Sequence, residues 1–139
     1  MKTLEVAAGL IFRFGQVLVC QRKENGPFPL KWEFPGGKLQ GGEGYENALR
    51  RELNEELGIE VTAARELFFH RHTYPGAMTV DLRFFEIQEF VGDVRNLAFR
   101  RIEWVKLDRL IDYDFLEGDL VLIQKLSGPD GNKLIHNPT

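Results

Sequence analysis

The sequence has little of what marks secreted or membrane proteins. Its 139 residues include one cysteine, Cys20, so no disulfide can form within the chain. Cys20 lies in the apolar run QVLVCQ, where a small core residue is a better interpretation than a reactive thiol. No stretch approaches the roughly 18 apolar residues of a membrane span, and the first apolar run is broken by Arg13. By elimination we expect a cytoplasmic protein with no membrane partner.

The sequence also lacks an excess of positive charge. It has 18 Lys and Arg residues against 21 Asp and Glu residues, which gives a net charge of −3. Proteins that bind nucleic-acid polymers neutralise phosphates with basic residues. We therefore expect no polymer partner and, if a nucleotide is bound, a small one. Nothing in the sequence indicates an oligomeric state.

Internal repeats and low-complexity tracts are absent as well. A chain of this length and composition is large enough to bury one core and too short to suggest two domains. We predict a single domain over residues 1–127, followed by a polar, mobile tail over residues 128–139.

The hydrophobic pattern predicts strands on both sides of a central helix. Two early strands, LEVAAGLIFRF and QVLVCQRK, are expected to form a hairpin through a turn at Gly15. A short strand, WEF, ends at Pro35, and a longer hairpin is predicted around the turn PGA. The strand RRIEWVKL and a second helix from about Gly118 to Leu126 follow. This order of elements predicts an α/β or α+β sandwich.

The central helix is predicted from Tyr45 to Leu57. Leucines recur every four residues along it, at positions 49, 53 and 57. Gly58 follows, where helices commonly end in a left-handed residue.

Three glutamates of this helix, Glu52, Glu55 and Glu56, share one arc beside the leucine stripe. Glu52 and Glu56 form an i,i+4 pair of like charge, which a divalent cation would turn from repulsion into attraction. Hard cations such as Mg²⁺ take one or two carboxylates together with substrate phosphates. The glycines of PGGK upstream allow backbone to approach an anion or a metal closely. Arg51, four residues before Glu55, is expected to pair with that carboxylate and orient it.

These residues resemble the Nudix box. From Gly37 the chain has five residues, Glu43, seven residues and then RELNEELGI from Arg51 to Ile59, which matches the box at every defined position. The stretch KWEFPGGK and the short chain look most like the MutT-type branch of that superfamily. The resemblance extends from about residue 4 to residue 126.

The resemblance implies an α/β/α sandwich with a mixed central sheet, in which a nucleoside triphosphate is hydrolysed to the monophosphate and pyrophosphate. On the matching positions, Glu52, Glu55 and Glu56 would bind Mg²⁺, or Mn²⁺, with a backbone carbonyl from Gly36 or Gly37. Either Glu52 or a loop carboxylate would act as the base. Sanitation of modified or oxidised nucleotides is the role that the family suggests.

Further positions that match relatives are assigned to substrate binding. Arg22 matches a position where relatives contact phosphate or base, and Gly37 and Lys38 belong to the PGGK stretch. Asp119 aligns with the residue that begins the final helix, which is asparagine in MutT proteins specific for oxidised guanine and aspartate in relatives that look like cytidine triphosphate pyrophosphohydrolases. An aspartate only accepts hydrogen bonds when ionised, so Asp119 is expected to favour bases with an amino donor. An N-cap role is the alternative.

The base remains open because the sequence departs from the pattern at one position. Many relatives carry a further glutamate where this chain has Ala98. The nearby acid is Glu103, which some MutT-like proteins use, so it is predicted as a catalytic residue and metal ligand; a surface role is the alternative. His70 and His72 are expected at the surface or the pocket rim, since a zinc site needs more ligands.

Two other functions remain open. Tyr74 and Pro75 lie where hydrolases of ADP-ribose or dinucleoside polyphosphates carry diagnostic residues, although YPG also makes an ordinary turn. The other alternative is a Nudix-like module that senses nucleotides without hydrolysing them, which the intact set of glutamates disfavours.

Overall fold

The structure is a computed structural model that describes residues 3–76 and 78–135. This part of the chain contains eight strands, two α-helices and three 3-10 turns. The strands are β1 (Thr3–Leu10), β2 (Phe12–Arg13), β3 (Gln16–Gln21), β4 (Trp32–Glu33), β5 (Gly36–Lys38), β6 (Glu60–Tyr74), β7 (Met78–Val91) and β8 (Arg101–Lys106). The helices are α1 (Tyr45–Leu57) and α2 (Leu120–Ser127), and the 3-10 turns cover Leu107–Asp112, Glu117–Asp119 and Gly131–Leu134.

The strands form two sheets. One is mixed, in the order β5-β1-β7-β6, with β1 and β7 parallel and the other neighbours antiparallel. In the other sheet β3 pairs antiparallel with β2, β4 and β8. The predicted mixed sheet is confirmed, as is the long hairpin, which β6 and β7 form with Pro75 and Gly76 between them.

The predicted early hairpin is wrong over most of its length. The first apolar run is interrupted at Ile11, and β1 joins the mixed sheet between β5 and β7. Only the two residues of β2 pair with β3. Residues 7–11 are all buried, so no solvent-facing side of this run showed which neighbour it would take.

The two sheets form one layer between the two helices. Successive residues of each sheet enter opposite cores: Val19 and Phe84 pack with α2, whereas Leu18 and Phe85 pack with α1. This arrangement confirms the α/β/α sandwich. It also places one end of the mixed sheet beside α1, where the predicted site lies.

Helix α1 spans the predicted residues. The leucines at positions 49, 53 and 57 are fully buried, and Gly58 ends the helix with a left-handed φ of 71°. A side chain is strained in that conformation, so glycine at this position fixes the helix end.

The C-terminal segment has contacts with the domain. Gly131–Leu134 forms a 3-10 turn, Ile135 is buried, and the Arg65 guanidinium donates a hydrogen bond to the Leu134 carbonyl at 3.1 Å. The domain boundary at residue 127 stays a prediction, since residues 136–139 lie outside the described part. Across the described ranges, no helix is long and apolar enough to cross a membrane.

Candidate active site

Strand β5 contacts helix α1 at two glycines, Gly36 and Gly37. The Gly36 N–H donates a hydrogen bond to Glu56 Oε1 at 3.0 Å. A Cβ on Gly37 would lie 2.5 Å from Glu52 Cδ, and Gly36 has a φ of 149° with Ala7 backbone where its Cβ would be. The PGG sequence therefore brings backbone against the carboxylates, an approach that residues with side chains cannot make.

Arg51 organises the loop before the helix. It binds Glu43 through two hydrogen bonds, of 2.7 and 3.0 Å, and donates to Glu52 Oε1 at 2.7 Å and to the Lys38 carbonyl at 3.1 Å. The hydrogen bond from Arg51, together with the Gln40 N–H, lowers the pKa of Glu43 to about 2. The predicted ion pair with Glu55 is present but longer, at 3.6 Å. Arg51 therefore orients Glu52 more directly than Glu55.

Glu43 is a partner that the sequence reasoning left without a role. It precedes α1, so helical periodicity does not connect it with Arg51. The signal was its fixed position in the box.

Glu56 lies in a strongly negative environment. Burial, and then the charge of Glu52, raise the pKa of Glu56 to about 9, while the hydrogen bond from Gly36 opposes the shift. One proton is therefore retained near neutral pH, and a bound cation would replace it.

The donor set fits a hard divalent cation. Glu52 is mostly buried, whereas the Glu55 side chain is 59% exposed and faces Arg51. In residues 3–76 and 78–135, no three acidic, His or Cys side chains converge closely enough to hold one ion. Glu52 and Glu56 with the Gly36–Gly37 backbone thus offer two carboxylates, which is the number that Mg²⁺ commonly takes beside substrate phosphates.

A cleft of about 340 Å³ lies next to these carboxylates. Its apolar lining includes residues of β1 and β7 and the aromatic side chains of Phe28, Phe34 and Tyr74. All four predicted substrate-binding residues line it: Arg22, Gly37, Lys38 and Asp119. A mostly apolar cleft with a few polar groups is typical of small-molecule sites.

Asp119 lies in this cleft as a buried acid, only 5% exposed. Burial, and then the charge of Glu33, raise the pKa of Asp119 well above its ordinary value, while a hydrogen bond from the Phe34 backbone opposes the shift. The N-cap alternative is not observed, because the Asp119 side chain makes no cap hydrogen bond within the described helix α2. Asp119 therefore lines the cleft and accepts a hydrogen bond from the Phe34 backbone, without capping the helix.

Glu33 is the site residue that the sequence reasoning missed. It accepts hydrogen bonds of 3.0 and 3.2 Å from Arg22 Nη1. Burial raises the pKa of Glu33, and the Arg22 guanidinium partly offsets the shift. Its charge in turn raises the pKa of both Glu56 and Asp119. Glu33 therefore lies near the α1 carboxylates as well as near Asp119. The only signal was an acid inside the short apolar run WEF.

Glu103 is not brought to the other predicted residues. It pairs with Val19 across β3 and β8 and accepts a hydrogen bond of 2.6 Å from the Tyr113 hydroxyl, which raises the pKa of Tyr113 to about 12. The next residue of β3, Cys20, points to the opposite face of the sheet. There burial, and then the charges of Glu33 and Glu56, raise the pKa of its thiol. Since neighbouring strand residues point to opposite faces, Glu103 faces away from Glu56.

The position of the missing glutamate lies closer to the site. Ala98 lines a second cleft of about 300 Å³ together with Lys23, Glu33 and Glu56. A carboxylate at position 98 would therefore adjoin the α1 site, whereas the alanine contributes no group to it.

The histidines lie beside the cleft rather than in its lining. His72 Nε2 is 3.3 Å from Glu117 Oε2, and its ring packs edge-on against Tyr74. Tyr74 does line the cleft, and its hydroxyl accepts a hydrogen bond of 3.2 Å from the Gly118 N–H. This placement agrees with a role at the rim.

Comparisons with known proteins point to one family. The family model described as NUDIX domain matches residues 2–126. The CTP pyrophosphohydrolase of Escherichia coli is 32% identical over 124 residues, which cover 89% of this chain and 91% of that protein. The 8-oxo-dGTP diphosphatase of Haemophilus influenzae is 35% identical over 126 residues, which cover 90% and 92% of the two chains.

Solved structures agree with the sequence relatives. The solution structure of the Escherichia coli ORF135 protein aligns with a TM-score of 0.78 at 31% identity, covering 89% of this chain and 88% of that one. A MutT structure from work on the Aliivibrio salmonicida and Vibrio cholerae proteins aligns with a TM-score of 0.76 at 29% identity, covering 91% and 98%.

Proposed function

The chain belongs to the NUDIX domain family and is a Nudix hydrolase with nucleotide pyrophosphohydrolase activity, and on that premise we propose that it converts (deoxy)nucleoside triphosphates to the monophosphate and pyrophosphate with Mg²⁺. Nudix hydrolases generally use divalent metal ions. The observation that carries the proposal is that Gly36 and Gly37, which contact the carboxylate pair Glu56 and Glu52, also line the apolar cleft that contains the buried acid Asp119.

The geometry supports a division of labour along the substrate. The base enters the apolar cleft, where Asp119 reads its polar edge. The phosphates pass over β5, whose Gly36 and Gly37 leave room for close approach, toward the carboxylates of α1. Lys38 and Arg22 line the same cleft and contribute positive charge.

Glu52, Glu56 and a carbonyl of Gly36 or Gly37 would hold the metal, together with Glu55, whose side chain is exposed on the same helix. When bound, a divalent ion neutralises phosphate oxygens and lowers the pKa of a coordinated water. Glu52 is our candidate for the base, since Arg51 fixes its carboxylate at 2.7 Å.

We propose that the base is cytosine-type or oxidised guanine and that the role is removal of modified nucleotides. Relatives named for both activities share about a third of their residues with this chain. Burial favours the protonated form of Asp119, which both donates and accepts hydrogen bonds. A protonated Asp119 broadens the preference beyond bases that present an amino donor.

The test is a Mg²⁺-dependent assay in which the products are separated, so that the pyrophosphate released from a triphosphate is distinguished from the AMP and ribose 5-phosphate that ADP-ribose gives. The panel contains dCTP, 5-substituted dCTP, 8-oxo-dGTP, dGTP and dATP, with ADP-ribose and a dinucleoside polyphosphate as competitors. Glu56→Gln is expected to be inactive. Glu46→Gln is its control, because this substitution removes the same charge from an exposed position on the same helix. Release of pyrophosphate from a triphosphate, lost only in Glu56→Gln, supports the proposal. Turnover of ADP-ribose alone, or nucleotide binding without turnover, overturns it.

A further inference from the structure

Two aromatic side chains form a pair in the cleft that contains Asp119, which is assigned to the base. Phe28 and Tyr74 both line the cleft, and their ring centroids are 5.3 Å apart at an interplanar angle of 47°. Tyr74 is fixed from behind by the Gly118 N–H. Phe28 is 37% exposed, so it forms part of the cleft and also meets solvent.

The backbone of the loop that presents Phe28 is strained. Phe28 has a φ of 51°, and Leu30 has a φ of 63°, in the left-handed region that side chains disfavour. This conformation is costly for a residue with a side chain and persists only when its surroundings hold it. Phe14 has a similar φ of 53° at an exposed turn outside this cleft, so the strain alone does not mark a site. The cleft position distinguishes Phe28.

Arg22 ties this loop to the site. Its Nε donates a hydrogen bond to the Pro27 carbonyl at 2.9 Å, directly before Phe28, while its Nη1 donates to Glu33. The planar guanidinium holds both partners at once in a fixed geometry, which a lysine ammonium does not reproduce. The position of the Phe28 ring is therefore coupled to the acid beside the α1 carboxylates.

We propose that Phe28 stacks on the base of the bound nucleotide, with Tyr74 as its support, and that Arg22 is the positioning residue that holds the loop in place. The inference rests on the proposed function and adds a base-recognition residue to it. Stacking on an aromatic ring is tolerant of base identity, because every base has a π-face. Phe28 thus supplies affinity, while Asp119 supplies discrimination.

The experiment compares KM and kcat for the preferred triphosphate in Phe28→Ala, Phe28→Tyr and the matched control Phe14→Ala. Stacking contributes equally to substrate and transition state, so Phe28→Ala should raise KM about tenfold with kcat nearly unchanged. Phe28→Tyr should restore KM, and Phe14→Ala should behave as wild type. Inhibition by inorganic tripolyphosphate, which has no base, should be the same in all variants. Phe28→Leu replaces Phe28→Ala if the alanine variant unfolds.

Arg22→Lys tests the positioning role. It should raise KM in the same direction, and combining it with Phe28→Ala should add little, because both changes remove the same contact. Full additivity overturns the coupling between Arg22 and Phe28.

An unchanged KM in Phe28→Ala overturns the stacking role while leaving the proposed function intact. Weaker inhibition by tripolyphosphate in that variant also overturns it, since the loop would then act on the phosphates. If wild type shows no turnover, the proposed function fails instead. Calorimetric titration with dCMP then decides the stacking role, with weaker binding to Phe28→Ala as the supporting result and equal binding as the contrary one.

Discussion

Replacing Glu56 by glutamine should stabilise the metal-free protein while removing its activity. The ordinary pKa of this group is 4.5, and in the folded protein burial and the charge of Glu52 raise it to about 9. Between these values the unfolded chain releases a proton that the folded protein keeps. The unfolded state therefore binds fewer protons, and stability falls as the pH rises through this window. Glutamine is neutral throughout and keeps an oxygen to accept the hydrogen bond from Gly36.

The size of the effect follows from the same two values. At pH 7 the penalty accumulates over about 2.5 pH units at about 1.36 kcal/mol each, which sets an upper limit of about 3 kcal/mol. We expect roughly 2 kcal/mol, which corresponds to a rise in Tm of about 5–10 °C for a domain of this size. The same change should lower kcat at least about 100-fold, because the amide lacks the charge that holds the metal.

The measurement is the Tm of wild type, Glu56→Gln and the control Glu46→Gln between pH 5 and 9, in EDTA and with Mg²⁺. In EDTA, wild type and the control should lose stability with rising pH more steeply than Glu56→Gln does. Mg²⁺ should raise the Tm of wild type and of the control, and raise that of Glu56→Gln much less. A Glu56→Gln protein that is less stable than wild type in EDTA at pH 8, or equally stabilised by Mg²⁺, would refute the reasoning.

Other substitutions test the remaining assignments. Glu52→Gln should lower kcat at least about 100-fold without loss of Tm, and near-normal turnover at saturating Mg²⁺ would remove Glu52 from the metal site. Glu103→Gln should leave the kinetics near normal because Glu103 is hydrogen-bonded to Tyr113, and a kcat loss above about tenfold would support the catalytic role that the sequence predicts. Asp119→Asn should change the order of kcat/KM among dCTP, 5-substituted dCTP, 8-oxo-dGTP, dGTP and dATP, and an unchanged order would show that Asp119 does not read the base.

Helix α1 and its glutamates could be predicted from the sequence because they depend on short-range interactions. Helix α1, its end at Gly58 and its leucine stripe follow from periodicity and from glycine's tolerance of left-handed backbone. The like-charge pair of Glu52 and Glu56 predicted a cation site for the same reason, since residues four apart on a helix are neighbours. These features depend on sequence separations of a few residues.

Features that depend on pairing between distant parts of the chain could not be predicted from the sequence. The apolar run of β1 predicted a strand, but its partners, β5 and β7, lie far along the chain, and a strand buried on both sides does not encode which neighbour it takes. The face of the sheet to which the Glu103 side chain points was unpredictable for the same reason, because it depends on the register between β3 and β8. A shift of one residue would turn it to the other face.

By itself, the sequence determined the box, the helix that carries it and the glycines that let backbone approach its glutamates. The tertiary structure alone decided that Glu33 lies near these glutamates as well as near Asp119, that Arg22 joins it to the loop of Phe28, and that Glu103 faces away. The physical reason is that charge and burial act through space. An acid in a short apolar run shows its environment only when the sheet, the loop and the final helix have closed around it.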